Sequence, residues 1–289
     1  MKKVIKKVML VSPWPRLAHI IMEASHYPPI GLAYTASYLE SKGLECKIID
    51  ANLFQYDEDK VFNLIKEYNP DLVGVSFNVS TVKEVMKISR DVKEKLDKLV
   101  ILGGPSSAGE PGTILEESKA DCIVKGEGEI TTWNLIDSGF NLSKVKGIAY
   151  LKKGKVIVNP GQEMIMDLNS LPFPAYHLLP KLKLYKNRSR RYPIAPLVTS
   201  RGSPYASVFC GSAKSGFRYR SPENIVSEME YLKKNFGVKQ FDILDDNFTL
   251  ILDRANKILD LVLEKKLDVL ITFPNGLRAD RLNPELIKK

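Results

Sequence analysis

Residues 72–104 read LVGVSFNVSTVKEVMKISRDVKEKLDKLVILGG, and this stretch decides the fold of the first half of the chain. The run at 72–77 is apolar, which is typical of a strand that is buried on both faces. Residues 81–96 predict a helix, because apolar side chains recur along one side of it, at Val82, Val85, Met86, Ile88 and Val92. Residues 99–102 predict a second buried strand, which leads into Gly103-Gly104. A strand, a helix and a strand in this order predict a parallel crossover.

The same alternation continues on both sides of this stretch. The further predicted strands are residues 4–11, 46–49 and 122–124, and the further predicted helices are residues 29–40, 57–68 and 112–119. Five such repeats predict an α/β fold with a doubly wound parallel sheet. Ligands of such sheets bind beyond the carboxyl ends of the strands. The candidate binding loops therefore follow residues 11, 77, 102 and 124.

The middle of the chain predicts a connector. Residues 145–150 and 155–158 flank Lys152-Lys153-Gly154 and predict a β-hairpin. A Pro-rich stretch follows, and residues 181–191 then contain six basic side chains. A solvated linker explains this composition, and a path for a nucleic acid or another anionic substrate is the alternative. We therefore divide the chain into a first domain at 1–140, a hairpin and basic linker at 141–193, and a second domain at 194–289.

A second strand and helix series begins after the linker. Residues 194–200, 241–244 and 269–273 predict strands, and the helices between them cover residues 222–236 and 252–263. Ser221 is the expected cap of the first helix, with Pro222 in its first turn. Three such units cannot close a barrel. We therefore expect the start of a (β/α) barrel in a C-terminally truncated chain.

Composition excludes several classes of protein. The 289 residues are 44% hydrophobic and 27% charged, which is an ordinary globular composition and not that of a disordered or fibrous chain. The net charge of +9 suits an anionic ligand without deciding which one. The three cysteines, Cys46, Cys122 and Cys210, are too few for a disulfide framework, so a cytoplasmic protein is expected. No apolar run approaches the roughly 20 residues of a membrane span.

The most specific segment covers residues 199–220, TSRGSPYASVFCGSAKSGFRYR. It resembles the cluster loop of radical S-adenosylmethionine enzymes, especially those with an N-terminal cobalamin-binding domain. In that family three cysteines, spaced C-x3-C-x2-C, follow the first barrel strand. The context Arg201-Gly202 and Pro204-Tyr205 is intact here, and the matching cysteine positions carry Ser203, Ser207 and Cys210.

The resemblance implies a [4Fe-4S] cluster held by three thiolates, with S-adenosylmethionine on the fourth iron. Ser203 and Ser207 offer hydroxyls of much higher pKa in place of two of those thiolates. One thiolate, at Cys210, is a poor anchor, so we expect cluster binding to be impaired in this chain. We interpret the two serines as engineered or as natural decay.

The resemblance also implies a role for the end of the second barrel strand. Polar residues there approach the amino group of S-adenosylmethionine, and Asp245 is the candidate. Helix capping by the pair Asp245-Asp246 is the alternative. Arg278, after the third strand, is either a partner for a carboxylate or a surface residue. No catalytic residue is assigned.

The first domain resembles the cobalamin-binding domain of the same family. Four segments match its pattern in order, namely residues 28–32 (PPIGL), Ser76, Gly103-Gly104-Pro105 and residues 126–129 (GEGE). The resemblance implies that Ser76, Gly103, Gly104, Gly126 and Glu127 contact cobalamin. Glycines suit this role because the backbone can approach the nucleotide tail closely. Plain turn glycines are the alternative.

One departure from the pattern concerns cobalt. Many cobalamin domains carry D-x-H-x-x-G after the first strand, and this chain lacks that motif. Its histidines, His19, His26 and His177, stand outside any such pattern. If cobalamin binds, we expect no histidine ligand on cobalt.

The resemblance implies an enzyme that transfers a methyl group to an unactivated carbon, with a reductant such as ferredoxin or flavodoxin and a small-molecule or peptide substrate. One alternative is an enzyme resembling the tRNA methylthiotransferases, which the basic linker would suit. Those enzymes need a second cysteine trio in the first domain, which Cys46 and Cys122 cannot supply. A degenerate, non-catalytic cobalamin-binding protein is the other alternative, and the two serines favour it.

Overall fold

A computed structural model describes residues 4–16, 27–105, 110–186, 189–205 and 215–289. The chain forms two compact units. The first unit comprises Met1–Met164 and Pro172–Pro180, and the second comprises Ile165–Leu171 and Lys181–Lys289. Within the ranges described, no helix is both long and apolar enough to cross a membrane.

The first unit contains a seven-stranded sheet in the order β2-β1-β3-β4-β5-β6-β7. Its strands are β1 (Lys7–Ser12), β2 (Glu45–Asp50), β3 (Leu72–Ser76), β4 (Leu99–Gly103), β5 (Cys122–Val124), β6 (Ile148–Lys152) and β7 (Lys155–Val158). The first five are parallel, which confirms the predicted doubly wound sheet. The predicted hairpin also forms, as β6 and β7, and it extends the sheet because β6 pairs antiparallel with β5.

The helices of the first unit are α1 (Ile30–Glu40), α2 (Ala51–Phe54), α3 (Glu58–Tyr68), α4 (Val82–Leu96), α5 (Pro111–Ser118) and α6 (Gly128–Asp137). Local chemistry sets their ends. The Asp57 side chain accepts a hydrogen bond from the Lys60 backbone N–H and begins α3, and Asn69, in the left-handed region at φ 51°, ends it. The sequence did not predict α2 or α6, which are respectively very short and glycine-initiated.

The core lies between the sheet and the helices. Met9, Val73 and Val100 come from three neighbouring strands, and Ile65 and Ile88 from α3 and α4 pack against them, all fully buried or nearly so. Burial of a large aliphatic side chain stabilises the fold by about 1.5–3 kcal/mol. The apolar periodicity of the sequence therefore corresponds to real core contacts.

The strand order fixes where a ligand can bind. The chain places β2 on one side of β1 and then places β3, β4 and β5 on the other side. The switch point of the sheet therefore lies between β1 and β3. In open parallel sheets the ligand crevice lies outside the carboxyl ends of the strands at this switch point. Ser12 ends β1 and Ser76 ends β3, so these two residues mark the crevice.

The second unit opens with a three-stranded parallel sheet in the order β12-β11-β8. Its strands are β8 (Ile194–Leu197), β11 (Gln240–Ile243) and β12 (Leu270–Thr272), and its helices are α7 (Pro222–Phe236), α8 (Leu252–Glu264) and α9 (Pro284–Lys288). This matches the predicted start of a (β/α) barrel. A separate antiparallel pair, β9 (Ser200–Ser203) and β10 (Ser215–Tyr219), stands between β8 and α7.

The first barrel strand is shorter than the sequence predicted. It ends at Leu197 rather than at residue 200, because the chain turns into β9. The Thr199 N–H donates to the Asp245 carboxylate at 2.7 Å, and the Thr199 carbonyl accepts from the Arg220 N–H at 2.9 Å. These backbone groups therefore cannot continue the ladder of β8.

Candidate functional site

Three neighbouring strand ends of the first unit bring the predicted cobalamin residues together. Ser76 and Gly103 are register partners at the ends of β3 and β4. Gly103 also lies beside Val124, the last residue of β5, and Gly126 follows after one residue. Ser76, Gly103, Gly104, Gly126 and Glu127 thus lie along one edge of the sheet, as the strand-end rule predicts.

Gly104 makes the closest backbone approach at this edge. Its φ of +129° is a region that only glycine adopts without strain. A Cβ here would stand 2.5 Å from the Phe77 carbonyl oxygen and 3.0 Å from the Ser76 Oγ. The Phe77 N–H also donates to the Gly103 carbonyl at 2.7 Å. The glycine is therefore required by the protein's own backbone, whatever binds nearby.

The GEGE segment begins α6. Gly126 has φ +87°, and among the described residues no atom beyond its chain neighbours lies within 4 Å of the place that a Cβ would occupy. Glu127 directly precedes α6 without capping it, and Glu129 is buried. A Cβ on Gly128 would approach the Thr35 Oγ1 to 3.1 Å, so this glycine serves the packing of α6 on α1.

The histidine in the described ranges lies away from this edge. His177 Nε2 is 3.1 Å from a carboxylate oxygen of Glu40, the last residue of α1. A crossover helix begins near the carboxyl edge of the sheet and ends at the opposite edge, so Glu40 and His177 mark that opposite edge. His19 and His26 lie outside the described residues.

The loop after β1 places two residues, Trp14 and Arg16, that the sequence analysis did not name beside the switch point of the sheet. Trp14 packs against the core, and the Arg16 guanidinium lies 5.7 Å from its ring. Arg16 also donates to Glu58 at 2.8 Å. The sequence predicts a candidate binding loop after β1. Only the strand order shows that this loop borders the switch point between β1 and β3.

In the second unit, Ser203 is the last residue of β9 and is paired with Ser215 of β10. The predicted cluster loop therefore connects the two strands of a hairpin. Ser207 and Cys210, the other two predicted cluster positions, lie outside the described residues. Ser203 is buried, and its Oγ accepts hydrogen bonds from Asn247 Nδ2 at 3.1 Å and from the Tyr205 N–H at 3.3 Å.

Asp245 is buried beneath the hairpin. Its carboxylate accepts hydrogen bonds from the Thr199 N–H and Oγ1 and, at 2.6 Å, from the Ser200 Oγ. Burial raises the pKa of Asp245, and these hydrogen bonds oppose the rise. The short helix Phe248–Leu250 is preceded by Asn247, so Asp245 does not cap it. The predicted contact of Asp245 with S-adenosylmethionine stays a prediction.

Two buried arginines complete this polar cluster, and the sequence gave no sign of them. Arg254 of α8 donates from Nη2 to the Thr199 carbonyl at 2.6 Å and from Nε to the Arg220 carbonyl at 3.0 Å. Burial lowers the pKa of Arg254 to about 10. Arg220 in turn forms an ion pair with Glu228 of α7, and both side chains are almost fully buried. The cluster ties α7 and α8 to the β8–β9 connection.

Arg278 meets a carboxylate of its own chain. It donates to both oxygens of Asp280, at 3.0 and 2.9 Å, on the protein surface. Its guanidinium also lies 4.1 Å from the centre of the Tyr205 ring, a cation–π contact. Arg278 is therefore both a surface residue and the partner of a carboxylate.

Residues 23–136 match the B12 binding domain family. The chain is 32% identical to an uncharacterized methyltransferase of Pyrococcus horikoshii, over 98% of this chain and 62% of that protein. It is 28% identical to TokK of Streptomyces tokunonensis, a cobalamin-dependent radical SAM methyltransferase, over 63% of this chain and 28% of that protein. The chain is thus similar to proteins of the cobalamin-binding radical S-adenosylmethionine family. It spans about three fifths of the Pyrococcus relative.

A solved cobalamin-dependent enzyme shares the fold. The cobalamin-dependent S-adenosylmethionine radical enzyme OxsB, with aqua-cobalamin and S-adenosylmethionine bound, matches with a TM-score of 0.76 at 20% identity. The match covers 92% of this chain and 38% of OxsB. Over the matched part, this chain therefore shares its fold with OxsB.

The two cofactor sites that this family implies differ in how well the residues fit. At the first-unit edge, the partly exposed Ser76 hydroxyl stands beside residues without side chains, which suits a cobalamin tail. At the hairpin, the donor set does not fit a [4Fe-4S] cluster, because Ser203 presents a hydroxyl that already accepts two hydrogen bonds. Among the described residues, no three His, Cys, Asp or Glu side chains are grouped to hold a metal ion.

Proposed function

We propose that this chain is part of a cobalamin-dependent radical S-adenosylmethionine enzyme, a methyltransferase that acts on an unactivated carbon. One observation carries the proposal. The motif of Arg201-Gly202 and Pro204-Tyr205 lies at the end of β9, in a chain whose residues 23–136 match a B12 binding domain. The methyltransferase names of the relatives support the type of reaction.

Cobalamin, when bound, supplies a carrier for the methyl group. The residues proposed to hold it are Ser76, Gly103, Gly104, Gly126 and Glu127, which share the carboxyl edge of β3, β4 and β5. Ser76 would donate a hydrogen bond to the nucleotide tail, and the glycines would allow the tail to lie against the backbone. We propose no histidine on cobalt, because the chain lacks the D-x-H-x-x-G motif. Among the described residues, His177 pairs with Glu40 at the opposite edge, and His19 and His26 lie outside those residues.

The cluster half of the site is proposed to be impaired in this chain. Ser203 and Ser207 replace the thiolates at two of the three matching positions, so only Cys210 offers a strong ligand. Asp245 is proposed to approach the amino group of S-adenosylmethionine, and its carboxylate oxygens also accept hydrogen bonds from Thr199 and Ser200.

The remaining assignments follow from the reaction. Reductive cleavage of S-adenosylmethionine needs an electron donor, and a ferredoxin or flavodoxin in the cytoplasm would supply it. Cys46 and Cys122 are buried free thiols, which agrees with a reducing compartment. The substrate is proposed to be a small molecule or a peptide. The proposed domain boundaries are 1–140, 141–193 and 194–289, and the hairpin of the middle segment, β6 and β7, pairs with the sheet of the first unit.

A non-catalytic cobalamin-binding protein is the second candidate. The two hydrogen bonds accepted by Ser203 favour it, because they give the serine a settled place without a metal. A methylthiotransferase-like enzyme is disfavoured, because Cys46 lies on β2 and Cys122 on β5, at separated positions in the sheet.

Cobalamin binding tests the part that both candidates share. The purified chain is mixed with hydroxocobalamin, separated by gel filtration and read by the corrin absorbance that elutes with protein. Retained absorbance supports the proposal, and unbound corrin contradicts it. Formation of 5′-deoxyadenosine from S-adenosylmethionine by the Ser203→Cys/Ser207→Cys variant, after cluster reconstitution and reduction, then separates the enzyme from the non-catalytic protein.

A further inference from the structure

The basic stretch at residues 181–191 has no part in the proposed reaction. Its last two residues, Arg190 and Arg191, precede β8, and their backbone N–H groups both donate to the Oε1 of Gln240 at 3.1 Å. Gln240 is the first residue of β11 and is buried. The end of the stretch is therefore fixed to the second unit through its main chain, while the two arginine side chains stay exposed.

Further cations meet these arginines at the amino ends of the barrel strands. Lys239 directly precedes β11, and Asp268 lies two residues before β12. The Arg191 guanidinium donates to the Asp268 carboxylate at 2.7 Å, and Lys233, near the end of α7, donates to the Asp268 carbonyl at 3.3 Å. Because the three strands are parallel, their amino ends share one edge of the sheet. We name Arg190, Arg191, Lys233 and Lys239 the amino-edge surface.

Positive charge is in excess on the amino-edge surface. The Arg191 guanidinium, which donates to Asp268, holds the pKa of that carboxyl below its usual value, and the charges of both lysines lower it further. Asp268 thus balances one of the four cations. Among the described residues, Arg190, Lys233 and Lys239 form no ion pair with a carboxylate. An anionic partner therefore meets several exposed cations at this edge.

An exposed aromatic residue adjoins these cations. Tyr192 directly follows Arg191 and is exposed. Aromatic rings on which bases stack, beside cations that contact phosphates, are how proteins bind single-stranded nucleic acid without reading its sequence. The core of a protein–protein interface is instead depleted in charged residues. The composition of the surface therefore favours a nucleic acid over an acidic protein.

We propose that the amino-edge surface binds a single strand of nucleic acid, with its cations contacting phosphates and the Tyr192 ring stacking on a base. The β9–β10 hairpin follows the opposite, carboxyl end of β8, so this surface is separate from the predicted cluster loop. The proposal is independent of the proposed function, which concerns the carboxyl ends of the strands.

The first experiment measures the salt dependence of binding. The purified chain is titrated into a fluorescein-labelled single-stranded RNA of about 20 nucleotides, and anisotropy is read from about 50 to 200 mM salt. Each phosphate contact on a single strand contributes about 0.7 to the slope of log affinity against log salt. Arg190→Ala/Lys239→Ala should therefore reduce the slope by about 1.4 and weaken binding more than about tenfold at the lowest salt. Lys152→Ala/Lys155→Ala, on the exposed β6–β7 hairpin of the first unit, removes the same charge and should leave the slope unchanged.

The second experiment tests the stacking. Tyr192→Leu should weaken RNA binding about fivefold or more without changing the salt slope, and Tyr192→Phe, which keeps the ring, should bind like the unmodified chain. Polyglutamate, an anion without bases, should bind more weakly than the RNA. Failure of the unmodified chain to bind RNA at low salt would overturn the proposal, as would equal slopes for the two double variants. Polyglutamate binding as tight as RNA binding, with no effect of Tyr192→Leu, would assign the surface to an acidic protein and overturn the nucleic-acid proposal.

Discussion

Substitution of Gly104 by alanine tests the geometry of the first-unit edge. Gly104 combines a φ of +129° with backbone atoms of Phe77 at 2.5 and 2.9 Å from a built Cβ. Neither problem can be relieved by rotating a flexible side chain, because both involve the main chain. The end of β3, with the Ser76 hydroxyl, must move to accept even one methyl group.

The expected loss has two components. A non-glycine residue in a sparsely populated backbone region costs about 1–3 kcal/mol. Overlap with a packed neighbour costs about a further 1–3 kcal/mol. We therefore expect Gly104→Ala to lower the free energy of unfolding by about 2–6 kcal/mol. This is a large share of the roughly 5–15 kcal/mol that stabilises a typical domain.

Two other glycines provide matched controls. Gly126 has φ +87° but no neighbour within 4 Å of a Cβ in the part of the chain that the structure describes, so Gly126→Ala carries the backbone strain without the overlap. Gly31 lies in the first turn of α1 with the same open space, so Gly31→Ala should be neutral or should stabilise by up to about 1 kcal/mol. Urea unfolding, followed by circular dichroism, measures all three. Equal losses for Gly104→Ala and Gly126→Ala would refute the close approach to Phe77.

Three further predictions concern a hydroxyl, an ion pair and the buried thiols. Ser76→Ala should weaken hydroxocobalamin binding by about 1 kcal/mol, measured by calorimetry, and unchanged affinity would remove Ser76 from the site. Glu228→Ala should lower the free energy of unfolding by about 3–5 kcal/mol, since it leaves the buried Arg220 charge without its partner, and urea denaturation with a loss below 1 kcal/mol would contradict this. Burial raises the pKa of Cys46 to about 12 from 9.0. The unfolded chain therefore loses this thiol proton at a lower pH than the folded chain, so the free energy of unfolding falls as the pH rises above about 9. Iodoacetamide at pH 8, followed by mass spectrometry, should therefore leave Cys46 and the fully buried Cys122 unmodified until urea is added, and rapid labelling of the native chain would argue against their burial.

The sequence predicted the first unit well because its strands and helices carry local signals. The strands β1, β3, β4 and β5 are largely apolar runs, and α4 shows its buried side every three or four residues. The pairing of β6 with β5 has no such signal, because it depends on which sheet edge a hairpin meets after folding. Helix α6 was missed for a local reason, since two glycines at its start indicated a turn rather than a helix.

The candidate site was predictable only as far as strand ends determine it. The strand-end rule placed Ser76 next to Gly103, and the register confirms that they are partners. The contacts of Asp245 with Thr199 and Ser200 depend on where a side chain points, which no spacing encodes. The burial of Arg254 follows from a polar cluster assembled by distant segments, and no pattern in the sequence predicts it.

The most direct test restores the thiolates. The chain as given and its Ser203→Cys/Ser207→Cys variant are reconstituted anaerobically with iron and sulfide, and bound iron, sulfide and absorbance are compared. The restored variant should contain iron and sulfide in the ratio of a [4Fe-4S] cluster, and the chain as given should contain far less. Adding Cys210→Ser should abolish the gain, whereas adding Cys46→Ser should preserve it. If the restored variant binds no more iron and sulfide than the chain as given, residues 203, 207 and 210 are not cluster positions and the radical-enzyme account is wrong.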